Sequence, residues 1–207
     1  MRRGLLGGTF DPVHNGHLIV AEQVRAQLAL DRVDFVPVGV PWMKRDETIL
    51  SGQHRLAMVD LAVNANEAFG VLTLEVDRPG DTFTVDTLEE LHEQADDDLF
   101  FIMGMDALQS FARWKDPVRI LELATVVVVR RPRVPRFGLD EIEALAPGTS
   151  DRIVEVGAPL IDISSTDIRQ RVSEGRTIRY LVPEPVRDYV EANGLYRSPA
   201  GAAGVAF

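Results

Sequence analysis

Two histidines three positions apart, His14 and His17, close a run that reads Gly7-Gly8-Thr9-Phe10-Asp11-Pro12-Val13-His14-Asn15-Gly16-His17. A short apolar segment, Arg3 to Leu6, precedes it and a stretch of helical period follows, so the run is the first strand-to-helix turn of an open α/β sheet. Ligands sit at such turns, against the helix N-terminus. Glycines there let backbone N–H groups come close to a phosphate, and the helix dipole adds about half a positive charge. A spacing of three brings both imidazoles to the same end of the helix, where they can face one anion. The chemistry this predicts is the gripping of a polyphosphate by directional donors. The turn is neither a Gly-x4-Gly-Lys-Ser/Thr loop nor a Gly-x-Gly-x-x-Gly fingerprint, and neither occurs elsewhere in the chain. Two other readings stay open: a tight turn with surface histidines, and a metal site. With only His54 and His92 remaining and no cysteine, a metal site would have to recruit carboxylates such as Asp11.

A second anchor lies toward the C-terminal end, in Ile163-Ser164-Ser165-Thr166-Asp167-Ile168-Arg169. Ser164 followed three residues later by Asp167 is a cap pair that opens a helix. Arg169 does not fit a simple cap, because a cation in the first turns of a helix opposes the macrodipole. An anion held there would reverse that sign, and the hydroxyls and the guanidinium would all point at it.

These groups need a scaffold. Short apolar runs at Arg3 to Leu6, Val33 to Val38, Val71 to Val76, Leu99 to Met103, Thr125 to Val129 and Arg152 to Val156 read as strands. Helices are expected from about Gly16 to Leu30, from Ser51 to about Ala65 and near Thr84 to Gln94. In the first of these, Leu18, Ala21, Val24 and Leu28 form the apolar face. Thr125-Val126-Val127-Val128-Val129 is apolar throughout, the mark of a strand covered on both faces. The expected fold class is therefore α/β, a Rossmann-like open parallel sheet with helices on both faces. One domain is expected over residues 1–197, with a frayed Gly/Ala-rich tail over 198–207. Two segments read as loops: 39–49, polar, aperiodic and long enough to be a functional lid, and 130–138, whose prolines among four arginines suit a mobile crossover.

The chain has 207 residues, and 32 acidic against 22 basic side chains give a net charge of −10. That balance argues against nucleic acid or an anionic membrane as a partner. Zero cysteines exclude thiol nucleophiles and iron–sulfur centres. Gly7, Gly8 and Asp11 interrupt the Met1-Arg2-Arg3 start before it can become a signal peptide, so a soluble, cytoplasmic protein is expected. A homo-oligomer is compatible with all of this.

The motif Gly7-Gly8-Thr9-Phe10-Asp11-Pro12 with His14-x-Gly16-His17 resembles the signature of the His-x-Gly-His nucleotidyltransferases. Arg78-Pro79-Gly80-Asp81-Thr82-Phe83-Thr84-Val85-Asp86-Thr87-Leu88, and Phe101-Ile102-Met103-Gly104-Met105-Asp106-Ala107-Leu108 ending in Trp114, are similar to bacterial nicotinate-nucleotide adenylyltransferases. The resemblance runs on through Tyr180-Leu181-Val182-Pro183 to Asn193-Gly194-Leu195-Tyr196. It implies that Gly7, Gly8, Thr9, Phe10, Gly104, Asp106, Ser164, Ser165 and Thr166 hold ATP. Thr84, Asp106 and Trp114 would hold the mononucleotide, with Trp114 stacking on the pyridine ring, N–H groups near Thr84 receiving the carboxylate and Asp106 contacting ribose. His14, His17, Lys44 and Arg169 would be catalytic, and Mg2+ would arrive with ATP rather than on a side-chain cage. The chain departs from the family at Pro41-Trp42-Met43-Lys44, where many members read Pro-Pro-His-Lys; Met43 cannot replace a histidine's hydrogen bond.

The implied reaction is in-line attack of the nicotinate mononucleotide 5′-phosphate on the α-phosphorus of ATP, releasing pyrophosphate in NAD biosynthesis. The attacking group is already an anion, so positioning and charge stabilisation suffice. The alternatives are a sister enzyme for nicotinamide mononucleotide or phosphopantetheine, a catalytically silent nucleotide-binding regulator, and a metal-dependent hydrolase built on His14 and His17.

Overall fold

The structure is a computed structural model, and it describes residues 1–40, 49–130, 143, 147–159 and 161–197. Six strands, β1 (Arg2–Gly8), β2 (Arg32–Pro37), β3 (Phe69–Val71), β4 (Asp98–Gly104), β5 (Thr125–Arg130) and β6 (Ile153–Gly157), form one sheet in the order β3-β2-β1-β4-β5-β6. Every pairing is parallel. The strand order turns back on itself at β1, where β2 leaves on one side and β4 on the other. A crevice opens outside the carboxyl ends of β1 and β4 at that switch point, the place where α/β sheets receive ligands.

Alternate residues of the same strands feed two separate cores. Leu6, Phe35, Ile102, Val127 and Val156 face one side, where they meet Ala21 and Val24 of α1 (Asn15–Gln27) and Met58 and Val59 of α2 (Gly52–Val63). Ile168 of α7 (Ser165–Ser173) and Val186 of α8 (Glu184–Ala192) complete that core. Leu5, Val36, Phe101, Val126 and Val128 face the other side. There they meet Val85, Leu88 and Leu91 of α4 (Thr84–Gln94), Met105 of α5 (Met105–Leu108) and Ile120 of α6 (Pro117–Leu123). Two covered faces explain why the strands read as continuous apolar runs.

One strand is displaced from its expected place. The run Val71 to Val76 was expected to be a strand, but pairing with β2 ends at Val71, and Leu74–Asp77 forms a single helical turn, α3. The reason is Glu75, the fifth residue of the run. A carboxyl group cannot sit between two apolar layers without a partner, and the turn instead brings Glu75 Oε1 to the Thr87 hydroxyl at 2.9 Å. Helices α6 and α8 lie outside the sequence-based expectation. In α6 the start is set by Asp116, whose side chain accepts from the Arg119 N–H at 3.2 Å, with Pro117 at the first helical position.

Candidate active site

Strand β1 ends at Gly8, and the backbone then takes a left-handed step at Phe10, with φ 50°. This turns the Phe10 ring down into the core beneath Gly8, where an added Cβ would lie 2.9 Å from the ring. The Phe10 ring meets the His17 ring edge-on, centroids 5.0 Å apart. His14 is the residue before the first turn of α1. Its backbone N–H donates to His17 Nδ1 at 3.2 Å, and the two imidazoles stack with centroids 3.6 Å apart. An accepting Nδ1 leaves the ring proton of His17 on Nε2. Gly16 leaves room for this arrangement, because a Cβ there would lie 3.0 Å from His14 Nδ1 and press on that ring. The His-x-Gly-His spacing thus builds a stacked pair with a defined proton.

Three further segments clamp this turn. Ser164 caps α7, accepting from the Asp167 N–H at 3.1 Å, while the Ser165 hydroxyl donates to the Pro12 carbonyl at 2.9 Å. Arg169 donates to the Asp11 carbonyl at 2.7 Å and to the Thr166 hydroxyl at 3.4 Å. Arg55, only 1% exposed, donates to the carbonyls of Thr9, Gly39 and Leu50 at 2.8, 2.9 and 3.0 Å. Burial pulls the Arg55 guanidinium below its ordinary pKa, and the neighbouring Asp11 opposes that pull. Asp11 is itself 3% exposed; its carboxylate accepts from the Tyr196 hydroxyl at 2.6 Å and from the Leu50 N–H at 3.4 Å. Burial, then the bond to Asp11, push that hydroxyl far above the ordinary tyrosine range, so Tyr196 stays a donor.

On the other side of the β1 terminus lies a cavity of about 320 Å³. Gly7, Gly8 and Thr9 line it together with Phe83, Thr84, Gly104, Trp114 and Lys115. Trp114 is half-buried, edge-packed on Phe101 and tilted on Phe111, with its Nε1–H on the Ser110 hydroxyl at 3.3 Å. Thr84 is the first residue of α4, so its N–H has no partner within the helix. Lys115 pairs with Asp86 at 2.7 Å over the Phe83 ring. Glu75 reaches the cavity from below; burial raises its pKa, and its hydrogen bond to Thr87 only partly offsets this.

A cytidylyltransferase-like family matches residues 5–171. A Roseiflexus sp. (strain RS-1) protein named "Probable nicotinate-nucleotide adenylyltransferase" is 47% identical over 94% of this chain and 97% of its own. A Thermomicrobium roseum protein of the same name is also 47% identical, over 95% of this chain and 92% of its own. The chain belongs to the nicotinate-nucleotide adenylyltransferase family. Its fold is also that of the Plasmodium falciparum nicotinic acid mononucleotide adenylyltransferase complexed with NaAD. That structure superposes with a TM-score of 0.76 at 18% identity over 94% of this chain and 97% of its own.

In this adenylyltransferase-family chain, the sequence-predicted residues fall into two groups around β1. Gly7, Gly8, Thr9, Gly104, Thr84 and Trp114 line the cavity. His14, His17, Ser165 and Arg169 surround the adjoining turn. Ser164 and Thr166 are exposed at the start of α7, and Phe10 turns inward as the turn's floor. Asp106 lies in α5, just past β4, but its side chain is outside the described residues, as are Trp42, Met43 and Lys44 and residues 131–138 and 198–207. His54 and His92 are engaged elsewhere, with the Tyr189 hydroxyl and the Leu123 carbonyl. Sequence reasoning missed Arg55, Glu75, Lys115 and Tyr196. Glu75 stands in a mostly apolar stretch where a charge needs a buried partner, and that mismatch was the available signal.

Proposed function

We propose that this chain transfers the AMP moiety of ATP to nicotinate mononucleotide, giving nicotinate adenine dinucleotide and pyrophosphate. The observation that carries the reading is a single cavity, in a chain of this family, that runs from the Gly7-Gly8-Thr9 turn to Trp114 and the open N-terminus of α4. The turn offers N–H groups to phosphate, and Trp114 offers a flat surface to a flat ring. N–H donors at the α4 N-terminus favour a carboxylate over a carboxamide.

An oxygen of the mononucleotide 5′-phosphate forms the new bond to the α-phosphorus of ATP. The bond from that phosphorus to the α–β bridging oxygen breaks, and pyrophosphate leaves with the electron pair. His17, with its proton on Nε2, donates to the α-phosphate oxygens as their charge grows, and His14 stacks behind it. Arg169 and Lys44 hold the β- and γ-phosphates. Mg2+ would arrive with the triphosphate and would neutralise charge on the leaving pyrophosphate.

The described residues contain no helix long and apolar enough to cross a membrane. The acidic balance of the chain disfavours broad contact with nucleic acid or an anionic membrane surface.

Pyrophosphate release from ATP and nicotinate mononucleotide tests the reading directly. Turnover with this pair should exceed turnover with the nicotinamide mononucleotide. No release with either mononucleotide would overturn the proposal, and faster release with the amide would reassign the substrate.

A further inference from the structure

Tyr196 lies 185 positions from Asp11, yet its hydroxyl ends on the Asp11 carboxylate at 2.6 Å. That carboxylate is almost fully buried, and its second oxygen takes the Leu50 N–H. The backbone on which it stands is the surface that Arg169 and Ser165 grip, through the carbonyls of Asp11 and Pro12. Arg55 grips the same stretch two residues earlier, at Thr9. The Asp11 side chain is therefore the fixed point of the segment that Arg169, Ser165 and Arg55 grip, and Tyr196 is one of two donors that hold it among the described residues. Tyr196 itself takes a left-handed backbone conformation, φ 60°, to bring its ring inward. A tyrosine in that conformation carries strain that packing or hydrogen bonding must offset.

We infer that Tyr196 is a positioning residue for the triphosphate: by fixing the Asp11 carboxylate it keeps the Phe10–Pro12 backbone where Arg169 docks, and so sets the guanidinium that faces ATP. The inference rests on the proposed ATP site but not on the identity of the second substrate. It places the effect on one side of β1 only. Among the described residues, Trp114 bonds to Ser110 and Lys115 to Asp86, and neither reaches Tyr196 or Asp11.

The test is Tyr196→Phe, which keeps the ring and removes the hydroxyl. A hydrogen bond to a charged group is lost, so KM for ATP is expected to rise about tenfold, while KM for nicotinate mononucleotide stays within about twofold. Calorimetric titration of the same variant with MgATP alone should show the same tenfold weakening, and it reads the inference even if the mononucleotide were a different one. Should Tyr196→Phe lose its cooperative melt, Asp11→Asn is used instead, with the same split expected. In the Asp11→Asn background, adding Tyr196→Phe should weaken ATP by no more than about twofold, because the hydroxyl acts through the carboxylate. Equal shifts in both KM values, an unchanged ATP affinity, or full additivity of the two substitutions would overturn the inference. Failure of the wild-type chain to make product would instead count against the proposed reaction.

Discussion

On one side of β1, Arg55, Ser165, Arg169 and Tyr196 hold the turn by hydrogen bonds to three backbone carbonyls and one carboxylate. On the other side, Trp114 is placed by ring edges against Phe101 and Phe111 and by one long hydrogen bond. The first region is fixed by directional contacts from chain segments far apart in sequence, the second by local packing. A phosphate carries several charges whose geometry must be met closely, and a donor misplaced by an ångström costs rate. A flat ring needs only a flat surface at van der Waals distance. Under the proposed reaction, directional contacts are concentrated where charge would move, and looser packing where the ring would be recognised.

The comparison can be broken from its strong side first. Arg55→Met should leave the carbonyls of Thr9, Gly39 and Leu50 without their donor, at about 1–3 kcal/mol for each buried group. A loss of roughly 4 kcal/mol in urea unfolding, with ATP binding lost alongside, is the expected result. His17→Ala should cost about 10²- to 10³-fold in kcat, the usual loss for one oxyanion-stabilising donor, without moving the melting temperature by more than a few degrees; steady-state rates and a thermal scan read both. Trp114→Ala tests the tolerant side: KM for the mononucleotide should rise about five- to tenfold, from a stacking loss of about 1–1.5 kcal/mol, with KM for ATP unchanged. An equal rise in both would erase the distinction between the two regions.

The smallest effect belongs to Glu75 beneath the cavity. Burial raises its carboxyl above the ordinary value of 4.5, so the folded chain holds that proton more tightly than the unfolded one. The stability this contributes is complete below the unfolded value and is lost as pH rises through the folded one. Glu75→Gln should flatten that part of the stability curve and melt higher than the parent at neutral pH. Thermal scans from acid to neutral pH check the slope.

The sheet was legible because its strands are covered on both faces, and Thr125–Val129 could hardly be anything else. The turn was legible because glycine, histidine and their spacing say directly what the backbone must do. Val71 to Val76 misled because its apolar pattern hides the one residue, Glu75, whose partner, Thr87, lies twelve positions away. Arg55 and Tyr196 were invisible for a related reason. Their partners are backbone carbonyls and a carboxylate in a turn that composition and periodicity describe only locally. Helix α8 escaped notice although its amphipathic face, Val186 and Val190, closes one core.

The contact between Asp11 and Tyr196 also has a consequence in time. A ribosome adding about 5–20 residues per second needs roughly 10–40 s to make the 185 positions between them. Through that interval the nascent chain carries its glycine turn and both histidines without the donor that anchors Asp11. An arrested or clipped polypeptide lacking Tyr196 would then hold most of the sheet but bind ATP weakly. Nucleotide affinity should therefore differ between chains that carry Tyr196 and chains cut short of it.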